Sequence, residues 1–131
     1  MNARALLRWL LILISAATLG SGLVQMVAPE FILNLISAQV TATTEQIFGI
    51  VGMFMTLFGG MLLQVLISKQ PLTPVFLWAA LQKIGASTAV ALGVFRHLFS
   101  PLALAIAGFD LLSGILIFIY MTLLNSDGSP S

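Results

Sequence analysis

Residues 9–28, WLLILISAATLGSGLVQMVA, decide the fold: twenty consecutive positions carry no charge, with Arg8 before them and Glu30 after. A helix rises 1.5 Å per residue, so about 20 apolar residues cross the ~30 Å hydrocarbon core of a bilayer. Three further runs of that kind follow. One lies between Glu45 and Lys69, one from Pro74 to near Phe95 interrupted by Lys83, and one from Pro101 to near Leu124 interrupted by Asp110.

Composition leads to the same class. Of 131 residues, 60% are hydrophobic and 7% charged, where a soluble domain has about a quarter of its residues charged. Five basic and four acidic side chains cannot cover a water-facing surface, and disorder requires the opposite composition. The net charge of +1, with no cluster of Lys and Arg beyond two residues, leaves no electrostatic footprint for nucleic acid. The absence of Cys and the single His argue against thiolate metal sites, disulfides and imidazole-built cofactor sites, so no metal and no cofactor are expected.

The expected fold is therefore all-α: a polytopic membrane protein forming an up-down antiparallel bundle of four transmembrane helices. Residues 1–124 form one membrane domain, with helices at about 5–28, 44–68, 74–96 and 101–124, and residues 125–131 form a disordered polar tail. Thr73-Pro74 and Ser100-Pro101 each read as a hydroxyl N-cap before a proline at the first helical position. Thr43 with Gln46 fits a capping box opening the second crossing. Pro29 ends the first crossing, and the run Phe31–Ile36, too short to span, reads as a short interfacial helix.

Arg4, Arg8 and Lys69 fall at one end of the bundle, and Glu30, Glu45, Arg96 and His97 at the other. The bias of positive residues predicts both termini in the cytoplasm. Trp9, Trp78 and Tyr120 each lie about four residues from the cytoplasmic end of a helix, as interfacial aromatic anchors do. Arg4, Arg8, the apolar run Trp9–Ile14 and the small residues at 15–17 also have the makings of a signal peptide. The apolar run continues to Val27, however, which favours a retained helix.

Lipid gives apolar helices no hydrophobic reason to associate, so packing relies on small and polar residues. Each crossing carries such a seam at spacings of three and four. The seams are Ser15, Thr18, Gly22 and Gln25; then Gly49, Gly52, Thr56 and Gly60, with Gly59 beside them. The third is Ala79, Lys83, Ala86 and Val90, continuing to Gly93, and the fourth Ala103, Ala107, Asp110 and Gly114. Residues so spaced share one helix face. Short turns favour sequential antiparallel neighbours.

Lys83 and Asp110 each lie about nine residues, roughly 13 Å, into their helices. Because those helices run in opposite directions, the two levels differ by only about 4 Å in a 30 Å core, a gap that a lysine stem spans. The third crossing has about nine Leu, Ile, Phe or Val residues, worth about −3 to −5 kcal/mol on an insertion scale that charges about +2.5 to +3.5 kcal/mol for Lys83. It is the marginal crossing, and Asp110 is the carboxylate at a depth to support it. One reading of the two is a buried ion pair that fixes register; the other is a proton, ion or substrate site. Thr18, Thr56, Gln82 and Ser87 are candidates to extend the pair into a polar network.

Other constellations carry less. His97, Ser100 and Asp110 have the residue types of a hydrolase triad, but the first two belong at the boundary and the third deep in the membrane. His97 as an axial ligand is disfavoured by the same boundary position. The Met residues read as lipid-facing or core filler, and Glu30 and Glu45 as boundary charges.

With Pro29-Glu30 after the first crossing, Gly52 and Gly59 in the second, Lys83 in the third and Asp110 in the fourth, the whole chain resembles the small bacterial four-helix membrane proteins of the DoxX-like kind. The resemblance implies a bacterial inner-membrane protein and no particular activity. Small multidrug exporters fit less well, because they use a carboxylate in the first helix, which here has none. The expected function is a non-enzymatic accessory or scaffolding bundle, packing with lipid and with itself or a larger membrane complex. The alternative is a small proton- or ion-coupled permease using Asp110 and Lys83.

Overall fold

The computed structural model describes residues 1–127. The element order is α1 (Ala3–Val27), α2 (Pro29–Leu35), α3 (Ala42–Ser68), α4 (Thr73–Phe95) and α5 (Ala103–Asp127), with no strand among the described residues. Helices α1, α3, α4 and α5 are each long and apolar enough to cross a membrane, and α4 is the least apolar of them. At 1.5 Å per residue, even the shortest is about 35 Å long, enough for a ~30 Å core. The protein is an all-α, four-helix, multi-pass membrane bundle.

Helix ends follow local hydrogen bonding more finely than the expected boundaries. The Asn2 side chain caps α1 by accepting from the Ala5 N–H at 2.8 Å. The capping box of α3 is Thr41–Thr44, not Thr43–Gln46. The Thr44 N–H donates to Thr41 Oγ1 at 3.1 Å, and the Thr41 N–H donates back to Thr44 Oγ1 at 2.8 Å. A threonine at the third position can close the box as a glutamine does, which moves the start two residues earlier.

Thr73 is not a cap either. Leu72 holds the N-cap position without a side-chain bond, and the Thr73 hydroxyl donates to Asn125 Oδ1 at 2.9 Å, tying the start of α4 to the end of α5. Ser100-Pro101 starts no α-helix directly. The Ser100 and Pro101 carbonyls accept from the amides of Ala103 and Leu104 in a tight lead-in turn, and α5 begins at Ala103. At its far end α5 runs through Asn125 to Asp127, so the expected disordered tail does not include 125–127. Residues 128–131 lie outside the described residues.

Three helices end in the same left-handed turn. Ser37, Lys69 and His97 have φ of 56°, 57° and 60°, and the amide of the following residue reaches back to the carbonyl of Leu33, Val65 or Gly93. This 6→1 bond is the Schellman closure, which usually employs glycine because an L side chain is strained there.

Packing divides the bundle into two antiparallel hairpins. Helix α1 lies along α3 and α4 along α5, and both pairings are far more extensive than α1 with α5 or α3 with α4. The first hairpin closes through glycine. A Cβ on Gly22 would come within 2.7 Å of the Thr56 backbone nitrogen, and one on Gly52 within 2.7 Å of the Met26 nitrogen. The two backbones thus touch where no side chain fits, as membrane helices do at small-residue seams.

All four seam residues of α1 are buried, as are Gly52 and Gly59 on α3 and Ala103, Ala107 and Gly114 on α5. Gly49, Thr56 and Gly60 are half-buried. Near the end that carries Arg8 and Lys69 the hairpins share one apolar core, with Leu11, Leu66, Phe76 and Ile117 at its centre.

Tyr120 belongs to that core. It is 5% exposed, and its ring meets Phe76 edge to face at 5.4 Å between centroids, so it is not an interfacial anchor. Its distance from the helix end is right, but its side of the helix is not. Trp9 and Trp78 are exposed, and the Arg8 guanidinium stands 5.6 Å from the Trp9 ring centre.

Candidate functional site in the middle of the bundle

Lys83 and Asp110 meet. Seam spacing turns both toward the bundle interior, and the opposite directions of α4 and α5 bring them level. Lys83 Nζ donates to Asp110 Oδ1 at 2.9 Å. The same ammonium donates to Thr18 Oγ1 at 2.8 Å, and this second bond crosses from one hairpin to the other. The Phe109 ring, its centre 5.3 Å from Nζ, adds its negative face. The side chains of Lys83 and Asp110 are 6% and 13% exposed, and no buried side-chain polar atom lacks a partner among the described residues.

The other candidates for the polar network fall elsewhere. Thr56 turns its hydroxyl onto its own helix, donating to the Gly52 carbonyl at 2.9 Å. Ser87 is buried away from the pair and lines a groove with Ala91 and Leu111. Gln82 lies beside Lys83, with no hydrogen bond to the pair, in the floor of the space described next. His97 and Ser100 lie in the α4–α5 loop, far along the helices from Asp110, and serve backbone geometry. His97 takes the left-handed turn that ends α4, and the Ser100 N–H donates to the Ile36 carbonyl at 2.7 Å. No group of three His, Cys, Asp or Glu suited to a metal ion occurs among the described residues.

Between the hairpins, on the α2 side of the ion pair, is a chamber of about 150 Å³. Its floor is Lys83, Asp110 and Gln82, its walls come from all four long helices, and Ile32, Ile36 and Phe99 form its roof. Helix α2 therefore does more than lie on the bundle, for its Leu33 and the Ile36 that follows its last turn are buried. On the opposite side of Lys83 only about 10 Å³ is open, no more than one water molecule needs. The chamber is closed at its floor.

Comparison with protein-family models, curated proteins and solved structures finds no match.

The chamber and its roof were not expected from sequence. The signals that could have pointed to them are Gly93, whose missing side chain makes room for the Phe99 ring, and the small residues Ala86 and Ala103 opposite Phe48 and Met55.

Proposed function

We propose that this protein is a non-enzymatic membrane bundle whose two hairpins are fastened at mid-membrane by Lys83, Asp110 and Thr18. On this reading it serves as an accessory or scaffolding subunit, packing with itself or with a larger complex in a bacterial inner membrane. The bias of Arg4, Arg8 and Lys69 to one end supports cytoplasmic termini, and the DoxX-like resemblance agrees with that setting.

One observation carries the reading: a single ammonium bonds an α5 carboxylate and an α1 hydroxyl at once, joining the two hairpins by side-chain hydrogen bonds above their shared apolar core. Beneath it, the packed core around Leu66 and Phe76 closes the path toward the other face. Such a pair contributes register and specificity more dependably than net stability. Apolar side chains on every long helix, such as Leu13, Leu57, Trp78 and Leu112, are exposed to lipid or to a neighbour. Gentle extraction from native membranes with crosslinking tests the reading: a defined homo-oligomer or a constant partner is expected, and a monomer free of partners under every condition contradicts it.

The chamber favours a second reading, a proton- or ion-coupled permease in which Asp110 exchanges its partner. Flux through reconstituted vesicles that is lost in Asp110→Asn supports it, and flux unchanged by that substitution eliminates it.

A further inference from the structure

The chamber has the makings of a ligand site. About 150 Å³ is the size of an engineered protein cavity that admits benzene, so it fits one ring-sized apolar group with a small substituent. Phe48, Val51, Met55, Val90 and Ile106 give it apolar walls. Polar capacity is concentrated at the floor. An ammonium has three donors; Lys83 uses one on Thr18 and one on Asp110, leaving one. The carboxylate of Asp110 accepts at Oδ1 and has Oδ2 to offer. Among the described residues no hydrogen bond ties down the Gln82 amide, which can both donate and accept. Gln25 lines the same space, where one N–H of its amide donates to the Phe48 carbonyl at 3.0 Å and holds the side chain against α3.

The floor carries one positive and one negative charge, already neutralised by each other. An anion or cation entering would lose its hydration without gaining an unmatched counter-charge. A neutral group that both donates and accepts can use the spare Lys83 proton, the free Asp110 oxygen and the Gln82 amide without breaking the pair. A purely apolar guest would leave them unsatisfied, which is how polar sites discriminate most strongly.

We infer that the chamber binds a small neutral amphiphile, a ring-sized apolar body bearing one amide-like or hydroxyl group, with the polar end on Lys83, Asp110 and Gln82. Helix α2 and Phe99 form its cover. The Ser100 N–H bonded to the Ile36 carbonyl ties the end of α2 to the loop that carries Phe99, and the Phe99 ring rests on Gly93. The inference rests on the ion pair staying intact and extends the clamp reading by giving it a ligand.

The test uses ¹⁹F NMR of 4-fluorobenzamide, 4-fluorotoluene and 4-fluorobenzoate with the full chain in lipid nanodiscs. Saturable binding is expected for the amide, at least about tenfold weaker for the toluene and the benzoate. Ala86→Phe, which fills the chamber, should abolish saturation, and Gln82→Leu should weaken the amide about tenfold while leaving the toluene unchanged. Equal affinity for amide and toluene in the unmodified protein overturns the polar floor, and saturation that survives Ala86→Phe overturns the location. The ligand comparison needs no variant, so misfolding cannot mask the answer. Failure here leaves the clamp standing if removal of Lys83 or Asp110 still uncouples the hairpins.

Discussion

Removing Asp110 alone should harm this protein far more than removing Asp110 and Lys83 together. In Asp110→Leu the ammonium of Lys83, a side chain only 6% exposed, keeps only the Thr18 hydroxyl as a bonded oxygen. Breaking one half of a buried pair costs about 3–5 kcal/mol, chiefly because the surviving charge is stranded. The chamber beside Lys83 can admit water, which favours the lower figure, about 3 kcal/mol or roughly a hundredfold in the folding equilibrium. Lys83→Met strands Asp110 in the same way. In the double variant Lys83→Met/Asp110→Leu no charge remains to strand, and apolar replacement of a buried pair is often neutral or stabilising by about 1–4 kcal/mol. The assay is unfolding from mixed micelles by SDS titration, followed by the fluorescence of Trp9 in one hairpin and Trp78 in the other. The two single variants should lose midpoint stability while the double variant recovers it. Single losses that add in the double to within about 0.5 kcal/mol would refute the pairing.

Other expectations follow from the same geometry. Thr18→Val removes one of two bonds to Lys83 and should cost about 0.6–1 kcal/mol, the scale of an interhelical hydrogen bond in membranes, in the same SDS titration. Gly22→Ala and Gly52→Ala each drive a methyl to within about 2.7–2.8 Å of backbone atoms and should destabilise by about 1–3 kcal/mol. Gly20, Gly85 and Gly108 have nothing within 4 Å of an added Cβ, so their alanine variants should be unchanged or up to about 1 kcal/mol more stable through helix propensity. Tyr120→Ala should cost about 3–5 kcal/mol as a large core truncation, whereas Trp78→Ala, exposed in the structure, should stay within about 0.5 kcal/mol.

What was legible in the sequence was set by short-range periodicity and by charge. The α1 seam of Ser15, Thr18, Gly22 and Gln25 is read directly from spacing, because a helix face repeats every three or four residues, and all four are buried. Lys83 and Asp110 could be paired from depth alone, since few charges exist and each is expensive in lipid. Tyr120 was misplaced because distance from a helix end says nothing about which side of the helix faces the core; that depends on how α4 and α5 rotate to bring Phe76 against it. Thr18 was separable from Thr56 only once the hairpins were docked, because both lie on seams and each could equally have bonded its own helix. The chamber is lined by residues of all five helices, and no single stretch encodes it.

Lys83 and Asp110 form one bonded pair at the middle of the bundle. The chain contains two lysines, Lys69 and Lys83, and two aspartates, Asp110 and Asp127. Solid-state NMR on protein labelled with ¹⁵N at lysine Nζ and ¹³C at aspartate Cγ, reconstituted in bilayers, is therefore simple to read. With Nζ of Lys83 2.9 Å from Oδ1 of Asp110, one strong Nζ–Cγ dipolar coupling should appear and vanish in Lys83→Met. Its absence in the unmodified protein, or its persistence in that variant, would mean that the two side chains are not bonded to each other.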